Sequence, residues 1–396
     1  MSNKLYWVWA QNALGISASV KSDEIVSYFG NAEKLYYAGE YEWKISGIFT
    51  NGQINKLKLT SIDSAEKIVA ECEKYKIKIV TPDDDNYPSM LFKLPNLPLV
   101  LYVRGDLDCL KNKIAVAMVG AREASDLGVR IARSLSASLS RSGAVVISGA
   151  AKGIDSAAHT GALNVGAKTV AVLGCGFGTD YLPENEPLRR EIAHHGALVT
   201  EYPPRTPAFG HNFPFRNRII SGLSYGTIVI EANERSGSLR TVNHAIEQGR
   251  DIFAVPGDIT SSMNMGTNKL LRDGAKPVFN AMDVLEEYAE KYPDMLDIDK
   301  IESILTTEPE TAGTEKRKKE EKAEKQAAKN FVKSAAPNNI SEKARMIFDA
   351  FSEETMQAEE LILRTKLSTV DFLSAMTELE ILGYIEPLAG KNYKLK

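Results

Sequence analysis

From Ile114 onward the chain alternates between short runs that are apolar at every position and longer segments that are apolar along one helical face. The runs are Ile114–Val119, Val145–Ile147, Thr169–Leu173, Ala197–Thr200, Thr227–Ile230 and Ile252–Val255; helical spacing marks Ser125–Ser140, Asp155–Asn164, Glu186–His194 and Ser238–Gln248. A strand without polar alternation has both faces covered, and the crossover helices supply the cover. The pattern predicts an α/β fold with a doubly wound, mostly parallel Rossmann-like sheet, whose ligands belong at the carboxyl ends of the strands.

The flanking segments read differently. Short amphipathic stretches at Leu5–Asn12, Ser22–Phe29, Ala32–Ala38, Asn51–Leu57 and Ser64–Tyr75 predict an N-terminal helical domain over residues 1–74, with its tryptophans and tyrosines as core. The sheet domain runs from 75 to 290 and opens with extended pieces at Ile77–Thr81 and Leu99–Val103 around an acidic loop, Asp83 to Asp85, read as solvated. Residues 291–338 hold a charged, low-complexity run, EKRKKEEKAEKQAAK, expected to be a flexible linker. From 339 to 396 three helical segments precede two short strands, a winged-helix pattern.

Composition narrows the function classes. Hydrophobic content of 43% and charged content of 25% are those of a soluble globular protein, and a net charge of -4 confines any nucleic-acid binding to a local patch. Cys72, Cys109 and Cys175 lie far apart without a CxxC pair, so neither a disulfide framework nor a metal site is expected, and a cytoplasmic location fits. No apolar run approaches the roughly 18 residues of a membrane span. No cofactor is expected either: the first βα turn, MVGAREASDLG, has Arg122 where a dinucleotide turn needs its second glycine, and the next strand ends in a basic segment instead of a ribose carboxylate.

Small residues do cluster at four strand ends, as Gly120-Ala121, Ser148-Gly149, Gly174-Cys175-Gly176 and Ser236-Gly237-Ser238. Backbone amides in such turns can face phosphates, and Arg122 and Lys152 stand beside them. The stretch from Asn212 reads as a loop carrying Phe213, Phe215, Arg216, Asn217 and Arg218 ahead of a helical turn. Arginines pair phosphates and phenylalanine faces accept bases, so the residues point to a polynucleotide groove, not a small-anion pocket.

Eight motifs carry a resemblance: VGAR (119–122), SGAAKGID (148–155), AVLGCG (171–176), PEN (183–185), TEYPP (200–204), NFPFRNRIISGLS (212–224), EANERSGSLRT (231–241) and AVPG (254–257). In this order they resemble the DNA-processing protein A family, DprA/Smf. The resemblance implies a non-catalytic single-stranded DNA-binding protein of natural transformation that protects incoming DNA and loads the RecA recombinase, working as a homodimer through its Rossmann-like domain. It further implies that residues 1–74 are a diverged SAM or helix-hairpin-like module. Ala121 stands where the family usually has serine or threonine, which removes a hydroxyl contact and leaves a backbone amide.

The expected contacts are Arg122, Lys152, Arg216, Arg218 and the helix N-terminus at Ser238 for phosphates, with bases on Phe213 or Phe215. Neutralising about four phosphates gives a log-log salt slope near -3. A rival is a nucleotide-processing enzyme, an N-glycosidase or phosphohydrolase, using Glu231. Another is a transcription regulator that reads duplex DNA with its tail; against it, Ser368–Leu382 carries no lysine or arginine, which favours a protein contact.

Overall fold

The computed structural model describes residues 3–296, 336–337, 339–352, 355–388 and 392–395, so most of the expected linker lies outside the described residues. The chain divides into two compact units near residue 306.

The first unit opens with helices α1 (Asn3–Leu14), α2 (Ser22–Phe29), α3 (Ala32–Ile45), α4 (Asn51–Leu59) and α5 (Ile62–Lys74). The expected stop at Ala38 falls one residue before Gly39, whose φ of 73° breaks the α3 spiral. Thr50 and Gln53 close a capping box that starts α4. Trp7 and Trp9 of α1 are buried, and their indole N–H groups donate to Asp83 at 2.7 Å and to the Thr60 carbonyl at 2.8 Å. Asp84 accepts from the Thr81 amide and pairs with Lys4 at 3.1 Å. Two carboxylates of the acidic loop therefore fasten the helices to the sheet edge and are not merely solvated, because α1 brings donors to them.

The sheet consists of β1 (Lys78–Val80), β2 (Leu101–Gly105), β3 (Ala115–Val119), β4 (Val145–Ser148), β5 (Thr169–Leu173), β6 (Ala197–Thr200), β7 (Gly226–Val229), β8 (Asp251–Ala254) and β9 (Lys276–Pro277). Their spatial order is β1-β2-β6-β5-β4-β3-β7-β8-β9; β1 and β2 run antiparallel at one edge, and the block from β6 to β9 is parallel. The interleaved helices are α6 (Asp126–Arg141), α7 (Ile154–Asn164), α8 (Glu186–His195), α9 (Asn212–Gly222), α10 (Ser238–Glu247), α11 (Met265–Arg272) and α12 (Met282–Ala289). Every residue of β3, β4, β5, β6 and β7 is buried, which is why those strands show no polar alternation. From β3 the chain winds outward through β4 and β5 to β6, then crosses back to place β7 on the other side of β3. The switch point between β3 and β7 is where a doubly wound sheet opens a crevice.

The NFPFRNR segment forms the first two turns of α9, not a loop. Pro214 sits where a helix has no use for its missing N–H, so an apparent breaker is compatible with a helix start.

The second unit holds α13 (Glu342–Ala350), α14 (Ala358–Thr365) and α15 (Thr369–Ile381), with β10 (Thr355–Gln357), β11 (Ile385–Leu388) and β12 (Asn392–Leu395) in the order β10-β12-β11. It is a winged-helix domain with its own core around Phe348, Phe351 and Phe372. Ser368 caps α15 by accepting from the Asp371 amide at 3.2 Å. The short strand β10 escapes sequence reading because three residues are too few for a period.

Among the described residues no helix is long and apolar enough to cross a membrane, and no cluster of three or more histidine, cysteine, aspartate or glutamate side chains is poised to hold a metal.

Candidate nucleic-acid interface

At the switch point the carboxyl ends of β3 and β7 open into a cleft of ≈ 530 Å³. Its floor is Val119, Gly120 and Ala121; one wall is α9 with Phe213, Arg216 and Asn217, and the other is the start of α10 with Gly237, Ser238 and Arg240. Arg122 is exposed at the rim, and its guanidinium lies 5.7 Å from the centre of the Phe213 ring, a cation–π distance. Phe213 is only half-buried and rests on Gly174, where a Cβ would come within 2.8 Å of the ring. Tyr181 packs against the same ring at 4.9 Å. The result is an aromatic face held in place with a free guanidinium beside it.

Arg216 is different in kind. It is 4% exposed and donates through Nη1 to the carbonyls of Gly149 and Val172, and through Nε to Asn217 Oδ1 at 3.2 Å. A Cβ on Gly149 would lie 2.7 Å from Arg216 Nη2 and 2.8 Å from Asp155 Oδ2, so only glycine lets the guanidinium and the carboxylate approach. Burial raises the Asp155 pKa, with Arg216 pulling against it, and burial lowers that of Arg216, with Asp155 pulling against it. Arg216 is thus the buried base of the cleft, bracing α9 against β4 and β5.

Arg218, expected at the surface, is 3% exposed and lies outside the cleft. Its Nη2 donates to both oxygens of Glu201 at 2.8 and 2.7 Å, while the Phe215 ring covers the guanidinium at 4.2 Å. Arg218 is therefore not free for a strand, and the half-buried Phe215 ring is taken up by its guanidinium; one residue before and two after Arg216, the two side chains leave α9 in directions other than that of Arg216. Asn212 is also buried, its amide reaching the Pro207 carbonyl at 3.4 Å.

The small-residue turns are likewise spent on the fold. The Ala121 amide donates to the Glu231 carbonyl at 2.7 Å and is lost as an anion donor. The Gly176 amide donates to Thr206 at 2.9 Å, and Ser148 Oγ to the Met118 carbonyl at 2.7 Å. Cβ atoms on Gly120 and Gly176 would collide with neighbouring backbone, so these glycines serve close packing. Gly237 alone among these turn glycines opens onto free space. Lys152 is exposed next to Ala151 of the cleft lining and pairs with Glu184 at 2.5 Å across solvent. Such an exchangeable surface pair contributes little and leaves the ammonium available.

Glu231 accepts from the Ser125 amide and hydroxyl, both at 2.8 Å, and Ser125 in turn caps α6 through the Gly128 amide at 3.0 Å. It is a carboxylate at a helix N-terminus with its lone pairs occupied, and pairs with neither Arg235 nor Arg218. Glu231→Ala is expected to cost about 1–3 kcal/mol by orphaning the Ser125 donors, checked by denaturant unfolding. His159, buried on α7, hydrogen-bonds Thr169 Oγ1 at 2.8 Å, and burial lowers its pKa to about 3. Three charged cleft residues escaped sequence reading: Asp155, because its partner is distant in the chain, and Glu123 and Arg240, because an exposed charged side chain carries no local signal.

A family model described as DNA recombination-mediator protein A matches residues 78–289, and a second, described as DprA winged helix domain, matches residues 332–391. The chain is 36% identical to the DNA processing protein DprA of Bacillus subtilis over 225 residues, covering 57% of this chain and 76% of the relative. It is 42% identical to the DNA processing protein DprA of Streptococcus pneumoniae over 205 residues, covering 52% and 72%. An X-ray structure of DNA processing protein A from Streptococcus pneumoniae superposes with a TM-score of 0.63 at 34% identity, covering 72% of this chain and 98% of that one.

Proposed function

Because the chain belongs to the DNA recombination-mediator protein A family, we propose that the switch-point cleft binds single-stranded DNA and that the protein, a non-catalytic homodimer of the cytoplasm, protects incoming strands and loads a RecA-type recombinase on them during DNA uptake. The observation that carries this reading is the meeting of three groups in one cleft: the exposed guanidinium of Arg122, the half-buried ring of Phe213 and the open start of α10 at Gly237 and Ser238. A phosphate pairs with the guanidinium beside the positive end of the α10 dipole, and a base stacks on the ring without being read by hydrogen bonds. Because every base has a π-face, binding on such a platform is nearly indifferent to sequence. Glu231 is held by Ser125 and does not line the cleft, and of the two carboxylates that do, Glu123 is exposed and Asp155 is half-buried against the Arg216 guanidinium, which weighs against the nucleotide-processing reading.

With Arg216 and Arg218 buried, the cations left at the rim are Arg122, Lys152 and Arg240. Three neutralised phosphates give a log-log salt slope of about -2, taking ~0.7 per phosphate, instead of the -3 expected when all four basic residues reach the strand. Arg122→Ala is expected to weaken binding of all single-stranded sequences alike and to reduce that slope by ~0.7. Gel-shift titrations of single- and double-stranded DNA across a salt series check both. Binding that ignores salt, or tighter binding to duplex, overturns the proposal. Loading is read separately, as faster recombinase filament formation on strands already held by the protein.

A further inference from the structure

A second, smaller cavity of ≈ 120 Å³ shares a wall with the cleft: Tyr181 lines it, and that ring packs 4.9 Å from Phe213. Three guanidinium groups border it, from Arg104 of β2 and from Arg189 and Arg190 of α8, against one lining carboxylate, Glu186. Arg104 is fixed over the Phe177 ring at 5.0 Å. Arg189 is 7% exposed and sends Nε and Nη2 to the same oxygen of Glu186, at 3.1 and 2.9 Å, while its Nη1 finds no hydrogen-bond partner among the described residues. Arg190 stands farther out, its Nε 3.7 Å from the other Glu186 oxygen and its side chain 76% exposed.

The charge count decides what belongs there. Three positive charges, that of Arg190 exposed, face one negative charge, and a buried guanidinium retains an unused donor, although buried donors are almost always paired. Guanidinium forks match tetrahedral oxyanions, and a dianion balances the excess of two. The cavity is well below the roughly 300 Å³ at which small-molecule pockets begin, so it suits one phosphate group and excludes a base.

We propose that this cavity binds a single phosphate group, carried either on the end of a nucleic-acid strand lying in the neighbouring cleft or as free phosphate. The site does not depend on the strand-binding reading, because inorganic phosphate alone probes it. Calorimetric titration of the full chain with inorganic phosphate at low salt is expected to give saturable one-site binding, weakened roughly tenfold by R104Q or R190Q, as loss of one charge-assisted contact implies. Both variants keep the Arg189–Glu186 pair, and circular dichroism verifies their folding.

A second arm compares an oligonucleotide with a terminal phosphate and the same strand without it. A roughly tenfold advantage for the phosphorylated strand, abolished by R104Q, identifies a strand end as the source. Equal affinities together with R104Q-sensitive phosphate binding identify free phosphate. Strand binding that fails in both forms while phosphate still binds sinks the cleft reading alone. Absence of saturable binding of inorganic phosphate, or phosphate binding untouched by both R104Q and R190Q, overturns the phosphate site.

Discussion

Replacing Arg216 with alanine is expected to destabilise the first unit by about 3–5 kcal/mol, the range for removing one partner of a buried charge pair. The substitution strips the carbonyls of Gly149 and Val172 of a donor and leaves Asp155 without its compensating charge. It also removes the brace that ties α9 to β4 and β5. Denaturant unfolding at neutral pH measures the loss, and a change below about 1 kcal/mol would show that Arg216 is not structural. Asp155→Asn in the same chain is expected to recover part of the loss, since the two sites are coupled. A fall in DNA affinity on Arg216→Ala therefore reports on folding before it reports on contact, whereas Arg122, exposed at the rim, isolates the contact.

Acidification is expected to remove a comparable amount of stability through His159. Its pKa is lowered to about 3 in the folded chain by burial, with the nearby Arg216 adding to the effect, against an ordinary value of 6.5. The sign follows from which state takes the proton. Below about 6.5 the unfolded chain binds a proton that the folded chain refuses, so the stability present above that pH declines as pH falls toward 3, at up to about 1.4 kcal/mol per unit. Asp155 and Glu201, raised by burial, act oppositely: each adds stability at low pH that is lost as pH rises through its folded value. The histidine contribution is isolated by the difference in pH dependence between the protein and its His159→Gln variant. Nuclear magnetic resonance gives the direct check, with the His159 ring still neutral at pH 5; titration near 6.5 would contradict the assignment.

Much of the architecture was legible because the physics behind it is local. Val116, Val146 and Val172 sit in strands whose two faces are covered, so their sequences are apolar throughout. The start of α6 is written in Ser125, and that of α15 in Ser368, because a cap needs only residues within one turn. The expected stop at Ala38 coincides with the break at Gly39, beyond which α3 resumes to Ile45. The helix beginning at Asn212 was missed because the phenylalanines, proline and arginines of its first turns read as a loop, while its stability comes from packing under the cleft.

The site was legible in part. Sequence brought Arg122, Phe213, Arg216, Asn217, Gly237 and Ser238 together, and all six line the cleft. It did not distinguish Arg216 and Arg218, buried against Asp155 and Glu201, from the exposed Arg122, because burial depends on residues far away in the chain. It read the amides of Ala121 and Gly176 as free, although the segment after β7 and the loop before α9 claim them.

The sequence by itself determined the alternation of strands and helices, the winged-helix tail and the strand end at which the chemistry gathers, since periodicity, caps and turn residues act over a few positions. Only the tertiary structure decided which arginine reaches solvent, which glycine opens onto free space and which carboxylate already has its donors. Those outcomes depend on contacts such as Glu231 with Ser125, formed when distant segments meet at the switch point between β3 and β7.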